Sequence, residues 1–168
     1  MTARNSVSGG KASKHSHPGK LQIYTDGASR GNPGPGGYGT ILIWNGVHKE
    51  LSGGFRRTTN NRMELMAVIA GLEALKKEGL EIMVYSDSAY VVRAVKEKWL
   101  IAWIRKDFAG KKNQDLWMRL YRQLQKHKVE FVWVKGHHVN LLNNRCDELA
   151  TGAADGIHLK EDEGFEKR

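Results

Sequence analysis

Residues 21–55, LQIYTDGASRGNPGPGGYGTILIWNGVHKELSGGF, decide the fold class of this chain. The segment LQIYTDGA alternates apolar and polar residues and predicts a strand that ends near Asp26. After a turn rich in glycine and proline, GYGTILIWN and VHKELSGGF predict two further strands joined at Asn45-Gly46, a dipeptide typical of hairpin turns. The folded part of the chain therefore begins with an antiparallel meander.

Helices and single strands alternate after this meander. Residues 61–78 predict a helix, because the spacing of their apolar residues is that of one buried helical face: Met63, Met66, Ile69 and Leu72. EIMVYSD predicts a short buried strand before a helix from about Ser88, VEFVWVK predicts another strand, and residues 143–154 predict the last helix. A meander followed by βαβ units predicts an α/β domain, a five-stranded mixed sheet flanked by helices.

Composition favours an anionic partner. The chain has 168 residues, a length typical of one domain, with a formal net charge of +9. Positive charge is concentrated in residues 93–128, which hold eleven Lys or Arg against three acids and predict two more helical pieces. The single cysteine, Cys146, excludes a disulfide framework and fits a reducing cytosol, and no segment has the apolar length of a membrane span.

Four acidic residues lie near the ends of predicted elements: Asp26, Glu64, Asp87 and Asp147. Asp87 ends a strand, where α/β sheets bind ligands. Glu64 falls in the first turn of one predicted helix, with Asn61 as its cap, and Asp147 near the start of another, where the helix dipole favours an anion. Each acid alone is explained by a turn or a cap. Together, in a basic chain, they favour a divalent metal and a polyanionic substrate.

From about Lys20 to Gly156 the chain resembles a bacterial type 1 ribonuclease H. The matching segments are YTDGASRGNPGPGGYG, RTTNNRMELMA, YSDSAYVV, DLWMRL and WVKGHHVNLLNNRCDELA. The resemblance implies a ribonuclease H-like fold over residues 20–156, with a basic helical protrusion at about 96–113. Residues 1–19 are then expected to form a flexible basic tail, and residues 157–168 a C-terminal tail.

The resemblance also implies an activity. Members of this family cut the RNA strand of RNA–DNA hybrids endonucleolytically with two Mg²⁺, or Mn²⁺, leaving 5′-phosphate and 3′-hydroxyl ends. They remove RNA primers and hybrids during replication and repair. The metal ligands implied are Asp26, Glu64, Asp87 and Asp147, and His137 completes the catalytic set. We expect a cytoplasmic monomer whose partner is the hybrid and not a membrane.

A second set of residues is implied to bind the substrate. Gly27, Asn32, Asn60 and Asn61 match positions that approach the hybrid, while Arg57, Thr59 and Asn113 match a pocket for a phosphate of the DNA strand. Aromatic and cationic residues interleave in the protrusion and suit a nucleic-acid backbone: Trp99, Trp103, Lys106, Lys111 and Lys112. The expectation is that the aromatic residues mostly pack and the lysines mostly bind.

Three alternatives belong to other classes of protein. A binding module without catalysis predicts the loss of a metal carboxylate, and all four are present. A DNA-processing nuclease of the same superfold is consistent with the fold alone, although TTNN and the basic block favour the hybrid. A zinc protein using His137 and His138 lacks thiolate or suitably spaced partners.

Overall fold

A five-stranded mixed sheet forms the centre of the described part of the chain, residues 20–135 and 140–167 of a computed structural model. Its strands are β1 (Leu21–Ser29), β2 (Gly34–Trp44), β3 (Val47–Thr58), β4 (Glu81–Ser86) and β5 (Lys128–Trp133). Their order is β3-β2-β1-β4-β5. The first three strands are antiparallel, whereas β4 and β5 run parallel to β1, which confirms the predicted sheet.

Helices cover both faces of this sheet. They are α1 (Asn60–Glu73), α2 (Ala89–Lys96), α3 (Trp99–Arg105), α4 (Gln114–Lys126), α5 (Leu141–Ala154) and α6 (Glu163–Glu166). Ile23 of β1 packs with α1 and α4, while the next residue, Tyr24, packs with Cys146 of α5. Successive strand residues face opposite sides. The helices α1 and α5 therefore lie on opposite faces.

Two glycines allow both helices to approach the β1–β2 pair closely. A methyl group at Gly27 would overlap the backbone of Met63 and Glu64 in α1, and one at Gly39 would overlap the backbone carbonyl of Cys146 in α5. Gly39 is the register partner of Asp26 in β1. Because glycine has no Cβ, α1 and α5 can lie close enough to the strands for Glu64 and Asp147, the residue after Cys146, to approach Asp26.

The first strand is longer than the sequence predicts. It continues past Asp26 to Ser29, because antiparallel pairing with β2 extends to Ser29↔Gly36. Parallel pairing with β4 stops earlier, at Tyr24↔Tyr85. Asp26 therefore lies in a strand but beyond the point where β4 pairs with it. The predicted hairpin is confirmed, since Asn45 and Gly46 have φ of 48° and 79°.

The boundaries of two helices also differ from prediction. Thr59, and not Asn61, caps α1, because its hydroxyl accepts from the backbone N–H of Arg62. The helix ends at Glu73 instead of residue 78, ahead of a turn in which Gly79 has φ of 73°. α5 begins at Leu141, where the side chain of Asn140 caps it. Glu64 and Asp147 consequently lie beyond the first turns of their helices, so the predicted dipole contribution was wrong.

α1 is buried more completely than one apolar face requires. Every residue from Arg62 to Ile69 is buried. The sheet covers one side, α4 covers another, and the chain after α5 returns to cover the start of the helix. The expected C-terminal tail is packed in this region: Lys160 forms a parallel bridge with Phe55 of β3. No helix in residues 20–135 or 140–167 is long and apolar enough to cross a membrane.

Candidate active site

Three of the four predicted acids converge at one end of the sheet. One carboxylate oxygen from each of Asp26, Glu64 and Asp87 lies within 4.8 Å of the other two. Asp26 comes from β1, Asp87 directly follows β4, and Glu64 reaches across from α1. The side-chain hydroxyl of Ser88 caps α2 by accepting from Val91, which fixes the turn that carries Asp87. Three different elements thus present one carboxylate each to one point.

This group of acids is incompletely satisfied by the protein. Glu64 is only 6% exposed, and its Oε1 atom has no hydrogen-bond partner; the same is true of the buried Oδ1 atom of Asp87. Buried polar atoms almost always have a hydrogen-bond partner, so two carboxylate oxygens without one indicate a binding site for a ligand. Hard divalent cations prefer carboxylate oxygens. The donor set therefore fits Mg²⁺ or Mn²⁺.

Burial and mutual repulsion raise the pKa values of these acids. Burial, together with the charges of Asp87 and Asp147, raises the pKa of Asp26 to about 8. Burial, then Asp26 and Asp87, raises the pKa of Glu64 well above its ordinary value. The pKa of Asp87 is also raised by burial, although its contact with Glu64 works in the opposite direction. A cation at this point would reverse the balance by favouring the charged carboxylates.

Asp147 lies beside this group and not within it. It is an exposed residue of α5, yet its side chain contacts Asp26. Together with Asp26 and Asp87 it lines a cavity of about 280 Å³. The remaining residues of that cavity were not predicted from the sequence: Val134, Lys135, Asn143 and Asn144. Asn143 has a buried Oδ1 atom without a partner. Its place in the motif LLNNRCD offered no separate signal, because only the fold shows which asparagine points inward.

Trp133 of β5 is another residue near the acids that was not predicted from the sequence. Its indole N–H donates to the backbone oxygen of Asp87 over 3.2 Å, and Lys135 lies 5.9 Å from the centre of its ring. Trp133 therefore holds the turn after β4 from the side of β5. His137, the predicted assisting histidine, lies outside the described residues.

The predicted substrate residues fall into two groups, of which the first surrounds the glycine-rich loop. The side-chain oxygen of Asn32 accepts from the backbone N–H of Asn60 over 3.1 Å, which ties this loop to the start of α1. Thr59 is the cap of the same helix. Arg57 lies 6.0 Å over the ring of Phe165, a residue of α6. Gly27 lies against α1 and next to Asp26.

The second group lines a cavity of about 320 Å³ between the protrusion and α1. Its lining residues are Asn61, Tyr90, Trp99, Trp103, Gly110, Lys111, Lys112 and Asn113. The ring of Trp103 packs against that of Trp117, with centroids 5.5 Å apart. The ammonium nitrogen of Lys111 lies 5.3 Å from the centroid of the same Trp103 ring. Lys106 is exposed at the end of α3 and is not among the lining residues. The structure thus gathers most of the predicted protrusion residues but not Lys106.

Comparison with known proteins agrees with this geometry. The model of the RNase H family matches residues 18–155. A ribonuclease H of Lachnoclostridium phytofermentans is 55% identical over 154 residues, which cover 85% of this chain and 97% of that relative.

Solved structures agree as well. LC9-RNase H1, a type 1 RNase H, has a TM-score of 0.70 at 26% identity, with 84% of this chain and 74% of that chain covered. LC11-RNase H1 in complex with an RNA/DNA hybrid has a TM-score of 0.62 at 30% identity, with coverage of 81% and 97%. The chain therefore belongs to the ribonuclease H family, as a bacterial type 1 member, and is an endoribonuclease.

Proposed function

We propose that this protein hydrolyses the RNA strand of RNA–DNA hybrids endonucleolytically, with two divalent metal ions and with 5′-phosphate and 3′-hydroxyl products. The observation that carries the proposal is the convergence of Asp26, Glu64 and Asp87 within 4.8 Å, two of them with buried, unpartnered oxygens. A family relative binds an RNA/DNA hybrid in its solved structure. One fold can host several activities, and duplex DNA is therefore an arm of the test.

The residues that would hold Mg²⁺, or Mn²⁺ in its place, are Asp26, Glu64, Asp87 and Asp147. Two such ions, when bound, would supply the charge that activates a water and stabilises the departing 3′ oxygen. The carboxylates would offer oxygen ligands from β1, α1, the turn after β4 and α5, and Gly27 lets Glu64 lie close to Asp26. We assign His137 to moving a proton or assisting product release, because a histidine titrates near neutral pH.

Recognition of the hybrid is assigned to the surface beside the acids. The loop from Gly27 to Asn32, with Asn60 and Asn61, is assigned to sensing the 2′-hydroxyls of the RNA strand from the minor groove. The hydrogen bond that ties Asn32 to Asn60 supports treating the loop and the start of α1 as one surface. Arg57, Thr59 and Asn113 are assigned to a phosphate of the DNA strand. The protrusion, with Trp99, Trp103, Lys106, Lys111 and Lys112, is assigned to the backbone of the hybrid. In the cell we assign the protein to removal of RNA primers and hybrids, as a cytoplasmic monomer.

One substrate panel tests this function. The protein is incubated with labelled RNA–DNA hybrid, double-stranded RNA and duplex DNA, each with Mg²⁺, Mn²⁺ or EDTA. We expect cleavage of the RNA in the hybrid alone, with metal present, and no cleavage by Asp26→Asn. Asn keeps the shape of the side chain but removes its charge, and so it serves as the matched control. Equal cleavage of duplex DNA, or full activity in EDTA, would falsify the proposal.

The protrusion is tested separately by its electrostatics. A protein that neutralises phosphates with lysines releases counterions, so its affinity falls steeply as salt rises. We expect Lys106→Ala, Lys111→Ala and Lys112→Ala combined to raise KM and to flatten its dependence on salt. KM is measured at several salt concentrations between about 50 and 200 mM, the range over which phosphate contacts change affinity strongly. An unchanged salt slope would remove these lysines from the substrate surface.

A further inference from the structure

Arg62 is a fully buried charged residue in the first turn of α1. It is 0% exposed, and its guanidinium donates to two carboxylates. Two nitrogens reach Asp115 over 2.8 and 2.6 Å, and Nε and Nη2 reach Asp162 over 2.8 and 2.9 Å. Buried charge is tolerated only when it is paired and hydrogen-bonded. Arg62 meets this condition through a residue near the C-terminus.

Asp162 is held in place from several directions. Its carboxylate accepts from the hydroxyl of Thr58 over 2.7 Å, and its backbone N–H donates to Glu166 over 2.9 Å. Upstream, Lys160 is hydrogen-bonded to the edge of β3, through Arg56 and Gly54. A methyl group at Gly164 would overlap Asp115 and Arg62, so the segment fits tightly. Residues 157–167 thus form a docked segment that fixes one side of Arg62.

The other side of Arg62 reaches Asn113. Its Nη1 atom donates to the side-chain oxygen of Asn113 over 3.3 Å, and the amide nitrogen of Asn113 donates to the hydroxyl of Tyr90 over 3.1 Å. Asn113 is 8% exposed and has φ of 66°, in the left-handed region that asparagine tolerates better than most residues. Its side chain is therefore oriented by Arg62 at one end and by Tyr90 at the other.

Asn113 contributes to the 320 Å³ cavity beside the protrusion. Two lysines, Lys111 and Lys112, line that cavity, and none of its eight described lining residues is acidic. This charge suits a phosphate of a nucleic-acid backbone. Phe165 of the docked segment also lies beneath Arg57, 6.0 Å from the guanidinium carbon.

We propose that Asp162 is a positioning residue for substrate binding: through Arg62 it fixes Asn113, which grips a phosphate of the bound hybrid. The inference rests on the proposed function. It gives the C-terminal segment a part in substrate affinity that a merely stabilising segment would not have. Glu64 is two positions from Arg62 on α1, so the two side chains leave the helix in nearly opposite directions. We therefore expect the chemical step to be unaffected.

A double-mutant cycle tests this coupling. Asp162→Asn keeps the volume of the side chain, and Asn113→Gly removes a side chain without straining the left-handed backbone. We expect each change to raise KM by about threefold to tenfold, the effect of one hydrogen bond, with kcat nearly unchanged. The double variant should have the KM of Asn113→Gly alone. Glu50→Gln, which breaks the exposed bidentate pair with Arg145, is the control and should leave KM unchanged.

Two outcomes would overturn the inference: an unchanged KM in Asp162→Asn, or KM increases that multiply in the double variant. Asp115→Asn is a second variant, since Asp115 also holds the Nη1 atom that contacts Asn113. It takes the place of Asp162→Asn if thermal melting shows that variant unfolded at the assay temperature. A wild-type protein that does not cleave hybrid would defeat the proposed function; a wild-type protein that cleaves hybrid, with multiplying effects, would defeat this inference alone.

Discussion

Two residues in α1, Arg62 and Glu64, build two buried polar clusters of opposite kinds. They are two positions apart, which at 3.6 residues per turn places their side chains about 200° apart around the helix. Arg62 is matched by two carboxylates and a side-chain amide, all supplied by the chain. Glu64 faces two further acids and leaves an oxygen unpartnered. The chain completes the first cluster itself, whereas the second requires a ligand.

The largest difference between the clusters should appear when each helix residue loses its charge. Arg62→Met leaves Asp115 and Asp162 without their cation, and removing one member of a buried ion pair costs about 3–5 kcal/mol. Glu64→Gln, the matched change two residues away, relieves repulsion and should leave the free energy of unfolding unchanged or higher. Urea unfolding at pH 7 measures both. A loss below about 1 kcal/mol in Arg62→Met would mean that its cluster is not structural.

Asp26→Asn should make the metal-free protein more stable at pH 8. The folded pKa of Asp26 is about 8, against an ordinary value of 3.8. The folded state therefore holds the proton that the unfolded state has lost, and the free energy of unfolding falls as pH rises between these values. We expect a gain of about 1–3 kcal/mol at pH 8, since one pH unit in a pKa is worth about 1.4 kcal/mol. The free energy of unfolding of both proteins is measured in EDTA at pH 4 and pH 8. An equal gain in stability at both pH values would show that the raised pKa of Asp26 is not its cause.

The sequence indicated the Glu64 cluster far better than the Arg62 cluster. Asp26, Glu64 and Asp87 stand in long local motifs, and strand order alone brings Asp26 and Asp87 to the same end of the sheet. Arg62 gave no such signal, because its partners lie 53 and 100 residues away. Asp162 was assigned to a tail, since a short polar segment has no periodicity that predicts docking. The helix cap was mispredicted for a related reason: Thr59 and Asn61 are both favoured cap residues, with Asn the better by type. Thr59 is nevertheless the cap, so residue type alone does not select the position.

Mg²⁺ should stabilise the protein through the Glu64 cluster alone, and more strongly at high pH. A ligand that binds only the folded state at ten times its Kd adds about 1.4 kcal/mol. Protons compete for the same oxygens, and the pKa of Asp26 is about 8, so this gain should decline from pH 8 to pH 6. Thermal melting with and without Mg²⁺ measures it, with Asp26→Asn as the control that loses most of the shift. A shift of equal size at both pH values would place the ion elsewhere.

The Arg62 cluster should respond to acid in the opposite sense, by a smaller amount. Burial alone would raise the pKa of Asp115, but its hydrogen bonds and charge pairing with Arg62 more than offset this and hold the pKa below 3.8. A carboxyl with a lowered folded pKa stabilises the fold above its unfolded pKa, and that contribution is lost as pH falls through the folded value.

Because the side chain of Asp115 is 42% exposed, solvent screens the pair. We therefore expect Asp115→Asn to cost about 1 kcal/mol or less at pH 7. That cost should shrink as the pH falls below about 3.8. Urea unfolding of both proteins at pH 7, 4 and 3 gives the difference at each pH. A constant difference would show that Asp115 contributes shape and not charge. The stability contributions of Asp115 and Asp26 would then not depend on pH in opposite directions.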